Sequence, residues 1–300
     1  MQLEYLTNKK YIDITPYFTS QGIDKDHVHI GFDGSLEMND EMFYVKIPRN
    51  EERLLGELIA AKLLDKLNLP HVEYTLGQFF DEVILLSKSF KKENYHYISG
   101  QRILSDYADT LNTPYDPSEL NELEEIWKAL ENRYKKLYSK EQTFSIVYQL
   151  MDEITTLLSF DYVVGNIDRH QSNWVVEEGP TGIHLSKIFD NEYLLQSLLE
   201  PEDTPSFAMA STFEELDRFV SPLESIETYL NLSSDEFVKK FRKIHEALSV
   251  ETFVHAIGEV EHDLGSLIEP KEKMKWISSY KKHHDSISQS LKKYDGKVRR

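Results

Sequence analysis

The sequence predicts an α+β protein of two lobes, a small β-rich N-lobe over residues 1–92 and a mainly helical C-lobe over 93–300. Two observations lead there. Short apolar runs bounded by turn residues crowd the first third of the chain and enclose a single helical stripe. From about Tyr95 the apolar spacing becomes helical, with one β-hairpin set among the helices. A chain of 300 residues suits two lobes that share a cleft.

The elements follow in order. His27–Ile30 and Met42–Ile47 read as strands, with Gly31–Ser35 as the loop between them. A helix spans about Glu51 to Leu67, because Leu54, Leu55, Leu58, Ile59, Ala61 and Leu63 form one stripe and Pro70 stops it. Strands are predicted at Tyr74–Phe79 and Glu82–Ser87. Leu120–Lys136 reads as an acidic amphipathic helix. Phe144–Val164 reads as an apolar one, with Phe144, Val147, Met151, Ile154 and Leu158 at helical spacing. Asn173–Val176 and Ile183–Phe189 form the hairpin, turning at Gly179–Gly182. An irregular stretch runs from Asp190 to about Ser211. Helices fill the remainder, one of them behind the capping pattern Ser233–Glu236.

Composition excludes several classes. There is no cysteine, so neither disulfides nor thiolate metal sites can form. The first twenty residues hold no apolar core of a secretory signal, and no run approaches the ~18 apolar residues of a membrane span. A soluble, cytoplasmic protein is expected, with export as an effector left open. The net charge is −18 and is unevenly spread, with residues 271–300 at +7 and residues 1–270 at −25. Such a body repels nucleic acid and anionic lipid. The basic tail reads as a solvated final helix packed on the acidic body, with His283 and His284 facing solvent.

The chemistry concentrates in Val163–Asn173 (VVGNIDRHQSN), between the apolar helix and the hairpin. Asp168 and Asn173 share this loop, and the hairpin folds Asp190 back towards it. Phosphoryl transfer needs such a set. A divalent cation on the nucleotide's phosphates takes oxygen ligands, here Asn173 and Asp190. A further carboxylate, Asp168, orients the acceptor hydroxyl and takes its proton. In the first lobe Lys46 lies in a strand from which it reaches phosphates, and Glu57 on the next helix is placed to pair with it. Gly31, Gly34 and Ser35 form the candidate phosphate loop, although two glycines three apart also make an ordinary hairpin turn.

This order of parts resembles the HipA-like kinases of the protein-kinase-like fold. Gly165-Asn166-x-Asp168-x-His170-x-x-Asn173 is similar to that family's catalytic loop, and Ile188-Phe-Asp190 to its metal-binding strand end. The helix from Gly56 to Pro70 is similar to its first helix. The resemblance covers roughly residues 27–195 and the chain looks like a compact member. It implies serine/threonine protein kinase activity with ATP and Mg²⁺, a protein substrate with a Ser or Thr acceptor, and a role as an effector or as a toxin with an antitoxin or other regulatory partner. It also implies that Ser35 lies in a loop that can be autophosphorylated. Asn191 departs from the glycine that classical kinases carry after the metal-binding aspartate.

Other readings weigh less. His170 has no second His or Cys at zinc-site spacing, so a scaffold role fits it better. Arg169 suits a phosphate, a carboxylate or solvent equally. Trp174 suits the core. A phosphoinositide-type lipid kinase would use a similar loop, but the −25 body opposes an anionic membrane. A nucleotide-binding pseudokinase scaffold has no need of Lys46, Asp168, Asn173 and Asp190 together.

Overall fold

A computed structural model describes residues 11–20, 33–38, 40–80, 82–112, 114, 123–166, 169–194, 235–265 and 268–298. The expected strand His27–Ile30, the residues Gly31 and Asp168, and the stretch 195–234 with Ser233 lie outside them.

Among the described residues the first lobe is a five-stranded sheet. Its strands are β1 (Ile12–Asp13), β2 (Asp33–Met38), β3 (Glu41–Lys46), β4 (Thr75–Phe79) and β5 (Glu82–Lys88), in the order β1-β4-β5-β3-β2. Helix α1 (Thr15–Ser20) follows β1. β1 runs parallel to β4, and the other pairs are antiparallel. The two faces of β5 show how the sheet is used. Ile84 and Leu86 point into a small apolar cluster with Leu36, Val45 and Phe79, whereas Leu85 belongs to the main core on the other side. Period-two alternation thus lets one strand serve two cores.

Gly34 and Ser35 lie inside β2 rather than in the expected loop, Ser35 opposite Tyr44. The reason is visible in the alternation that follows them: Leu36 and Met38 are buried while Ser35 and Glu37 are exposed.

Helix α2 (Glu51–Leu67) begins at Asn50, whose side chain accepts from the Arg53 amide, and ends at Asn68 in the left-handed conformation. Glu51 and Glu52 in its first turn favour the positive end of its dipole. Its apolar stripe joins the main core with the helices of the second lobe.

The second lobe opens with a strand the sequence reading missed, β6 (His96–Ser99), whose partner lies some eighty residues away in the hairpin. Then come α3 (Gly100–Thr110), α4 (Leu123–Tyr134) and α5 (Lys140–Val164). α5 starts in a capping box in which Ser139 and Gln142 satisfy each other's amides, and stops at left-handed Gly165, φ 69°. It buries Val147, Leu150, Ile154 and Leu157, but Phe144, expected on the apolar stripe, is 61% exposed. Phe144 stacks instead against Tyr148 and meets Trp127 of α4 edge-on.

The hairpin strands are β7 (Val175–Gly179), which starts and ends later than expected, and β8 (Gly182–Leu185), which is shorter than expected, and with β6 they make a three-stranded sheet in the order β6-β7-β8. Asn173 sits in a short 3-10 turn, Gln171–Asn173, ahead of β7. Beyond β8 a bridge from Ile188 to His71 ties the chain to the first lobe. Among the described residues three helices close the fold: α6 (Asp235–Ala247), α7 (Val250–Leu264) and α8 (Pro270–Val298). α7 packs on α2. His283 and His284 do not face solvent as expected. His283 Nε2 bonds the Tyr162 carbonyl at 2.9 Å, and His284 stacks on His245. Among the described residues no helix is long and apolar enough to cross a membrane.

Candidate active site

Lys46 is the last residue of β3 and projects into the gap between the lobes. Its ammonium meets three carboxylates: Glu57 Oε1 at 2.9 Å, Asp190 Oδ1 at 2.6 Å and Glu192 Oε2 at 3.1 Å. Lys46 is 16% exposed and Glu57 is fully buried. Burial alone would lower the lysine's pKa, but the three carboxylates outweigh it and hold Lys46 well above the usual lysine range. Burial pushes the Glu57 carboxyl up, and Lys46 opposes that shift. Glu57 also accepts from the Asn191 amide at 2.9 Å and from the Tyr74 hydroxyl. Burial together with the neighbouring Glu57 raises Tyr74 well above its usual value, so it remains a donor.

Two backbone features place these groups. Asp190 adopts φ 59°, a left-handed conformation unusual for a residue other than glycine. There the chain leaves the extended Ser186–Phe189 path and turns Asn191 and Glu192 beneath α2. Gly56 permits the approach, since a Cβ there would come within 2.7 Å of the Glu192 carbonyl oxygen. Arg53, one turn earlier on α2, bonds Glu192 Oε1 at 2.9 Å and lies over the Tyr193 ring.

Behind this cluster lies a second, sealed one. Arg169 is 1% exposed. Its guanidinium grips both oxygens of buried Asp161, at 2.9 and 3.1 Å. It also donates to the carbonyls of Asn173 at 2.9 Å and Phe189 at 2.6 Å, and to the Asn191 side-chain oxygen. Asn166 donates to Asp161 Oδ1 at 2.7 Å. One residue therefore ties the end of α5, the loop bearing Asn173 and the segment bearing Asp190 into a unit. Of the readings open to Arg169, the structure selects the carboxylate. His170 accepts from the Ser172 amide through Nδ1, which suits a scaffold role.

The gap between the lobes is a cavity of about 560 Å³. Lys46, Glu57 and Asp190 stand at one end, with Gly34 and Ser35 along β2. Tyr44, Phe90 and Phe189 supply an aromatic wall, Phe90 and Phe189 stacked 6.2 Å apart. The structure thus brings Lys46, Glu57, Asp190, Gly34 and Ser35 to one cavity and ties Asn173 to it through Arg169. Sequence reasoning missed Glu192, Arg53 and Tyr74. Adjacency to Asp190 was the one available sign for Glu192, and nothing in the sequence marked the other two.

No family model matches the sequence, and no curated protein matches it. Solved structures do. A proinflammatory kinase, CtkA, of Helicobacter pylori matches with a TM-score of 0.61 at 16% identity, over 94% of this chain and 99% of that one. A chain of the Shewanella oneidensis HipA–HipB toxin–antitoxin complex with operator DNA matches with a TM-score of 0.54 at 15% identity, over 85% of this chain and 58% of that one. The chain has the α+β fold of the HipA-like kinases, a sheet-bearing N-terminal half followed by a helical C-terminal part.

Proposed function

We propose that the protein is an ATP- and Mg²⁺-dependent phosphotransferase acting on Ser or Thr of a protein substrate. The observation that carries the reading is the Lys46–Glu57–Asp190 cluster at the mouth of a cavity between the lobes. Its charge suits the ligands. Three carboxylates face Lys46, and Arg53 offsets only part of the excess, so the site favours an added cation. Asn173 and Asp190 offer the hard oxygens that Mg²⁺ takes, and Mg²⁺ completes its shell with phosphate and water rather than with a full protein cage. The metal would neutralise charge on the transferring phosphoryl group.

The chain's own groups then divide the work. Lys46, held by Glu57, presents its ammonium to the nucleotide's phosphates. Gly34 and Ser35 lie along the same wall, and Gly31 is assigned there on the sequence motif alone. The aromatic wall of Tyr44, Phe90 and Phe189 suits a stacked base. Asp168 is assigned as the base on the sequence motif alone. It would hold the acceptor hydroxyl and take its proton as the hydroxyl oxygen attacks phosphorus and the bond to the leaving diphosphate breaks. A toxin or effector role, with an antitoxin or regulatory partner, goes with this reading.

The test is ³²P transfer from labelled ATP to a mixed protein acceptor and to the protein itself, with nucleotide affinity measured in parallel. Asp168→Asn should lose transfer by ~10²–10⁴ while ATP affinity is kept, because a positioned base acts in the transition state. Transfer at the wild-type rate in that variant would remove Asp168 from the mechanism.

A further inference from the structure

A second cavity, about 910 Å³, lies away from the site, between the C-terminal end of α2, Thr156 of α5 and one face of α6. Its rim carries Lys66, Lys239, Lys240 and Lys243. Its floor is apolar, made by Leu67, Leu69 and Ile244. Two of the lysines are already engaged, Lys66 with Glu259 at 3.4 Å and Lys240 with Asp152. Lys239 and Lys243 are exposed and have no ion-pair partner among the described residues. Two uncompensated cations one helical turn apart are unexpected on a chain of net charge −18, where acidic side chains outnumber basic ones.

The shape and the charge together restrict the occupant. An anion without apolar groups leaves the leucine floor unused. A flat anionic membrane cannot reach the floor of a concave site, and the acidic body repels it. An amphipathic peptide with an acidic face matches both, apolar residues at i, i+3 and i+4 on the floor and carboxylates at the rim. The volume is at the upper end of the ~300–1,000 Å³ usual for ligand pockets, enough to seat several side chains. We infer that this groove docks an acidic amphipathic segment of a partner protein, through Lys239 and Lys243 and the Leu67–Leu69–Ile244 floor.

The test does not depend on catalysis. A dye-labelled synthetic peptide with Leu at i, i+3 and i+4 and Glu elsewhere is titrated with the full-length protein by fluorescence anisotropy. A scrambled peptide of the same composition and a Lys-for-Glu peptide serve as controls. Saturable binding to the wild type is expected. It should weaken at least tenfold in the double variant K239E/K243E, and weaken as salt rises from ~0.05 to ~0.5 M. Ala247→Glu, on the exposed rim of the same groove, should weaken it as well, by setting a carboxylate one turn from Lys243 and against the acidic face of the peptide. Circular dichroism checks that each variant is folded. Equal binding by K239E/K243E, equal binding of the scrambled peptide, or no binding at millimolar peptide overturns the inference. So does lysine-dependent binding to phosphatidylserine vesicles in place of the peptide, which would make the groove a lipid site.

Discussion

Lys46, largely covered, and Arg169, fully buried, are both cations beside carboxylates, and they are built in opposite ways. Lys46 is 16% exposed, faces three carboxylates, and opens onto a cavity. Arg169 is sealed, its charge is matched by one carboxylate, and its remaining donors end on two carbonyls and an amide oxygen. A compact ammonium with an excess of anions can exchange partners, whereas a guanidinium with its fork satisfied is fixed in one geometry. The difference separates the group suited to ligand exchange from the group that holds it in position.

The largest expected effect breaks the sealed cluster. Arg169→Met leaves Asp161 buried and uncompensated, with Asn166 as its remaining side-chain donor. Removing one partner of such a pair typically costs ~3–5 kcal/mol. Urea unfolding should show a loss of that size, while Asp161→Asn should lose less because the amide still accepts from Asn166 or Arg169. A loss below ~1 kcal/mol for Arg169→Met would show that the cluster does not hold the fold together. Lys46→Met should cost less stability and more activity. It leaves Glu57 buried beside Asp190 and Glu192, but Glu57 keeps the Asn191 amide and the Tyr74 hydroxyl, and Asp190 and Glu192 are partly exposed, so the loss should be smaller than in Arg169→Met. Phosphate transfer should fall by ~10²–10³, the range for one preorganised electrostatic donor. Equal loss of stability in the two variants would erase the distinction.

Asn191 stands between the two clusters. Its amide donates to Glu57 and its side-chain oxygen accepts from Arg169. Asn191→Gly, which restores the residue usual in classical kinases, deletes a bond to a charged group worth ~1.5–3 kcal/mol. The backbone bond to Glu57 survives. The expectation is reduced stability and a lower transfer rate at unchanged ATP affinity, both smaller than in the two variants above. Native-like stability would mean that Arg169 finds another acceptor.

How much of this was legible in the sequence follows from the range of each interaction. Local signals placed α2 and α5, because stripe, caps and stops lie within a few residues of one another. The convergence of Lys46, Glu57 and Asp190 was readable from the order of strand, helix and hairpin. The sealed cluster was not. Nothing local distinguishes an Arg169 paired with Asp161 from one in solvent, and Glu192 reaches Lys46 only because Asp190 turns the backbone at φ 59°. β6 was missed because its apolar content is slight and its pairing with β7 is distant. Phe144 matched the stripe yet lies outside, at the edge of an aromatic group shared with α4 that period alone cannot foresee.

A third buried group sharpens the comparison, since its members are cations only when protonated and have no carboxylate to hold them so. His245 stacks on His284 with ring centroids 3.8 Å apart, donates to or accepts from Ser288 Oγ, and leaves its Nδ1 buried without a partner. Burial, and then His284, His283 and Arg242, push His245 down to about 3. Burial likewise pushes His283 to about 4, against the Tyr162 carbonyl that favours its proton. Unfolded histidines bind protons below about pH 6.5, while these two do so only near pH 3 to 4. The unfolded chain therefore binds more protons between those limits, and stability falls as pH drops through that window. At pH 5.5, one unit below the unfolded value, the loss should be on the order of 1 kcal/mol for each ring. Urea midpoints at pH 7.5 and 5.5 measure it. Carboxylates also respond to acid, so the informative quantity is the difference from His245→Asn and His283→Asn, each of which should reduce the pH dependence by about one ring's share. An unchanged pH dependence in both would mean that α8 accepts the protonated rings where it packs on α5 and α6.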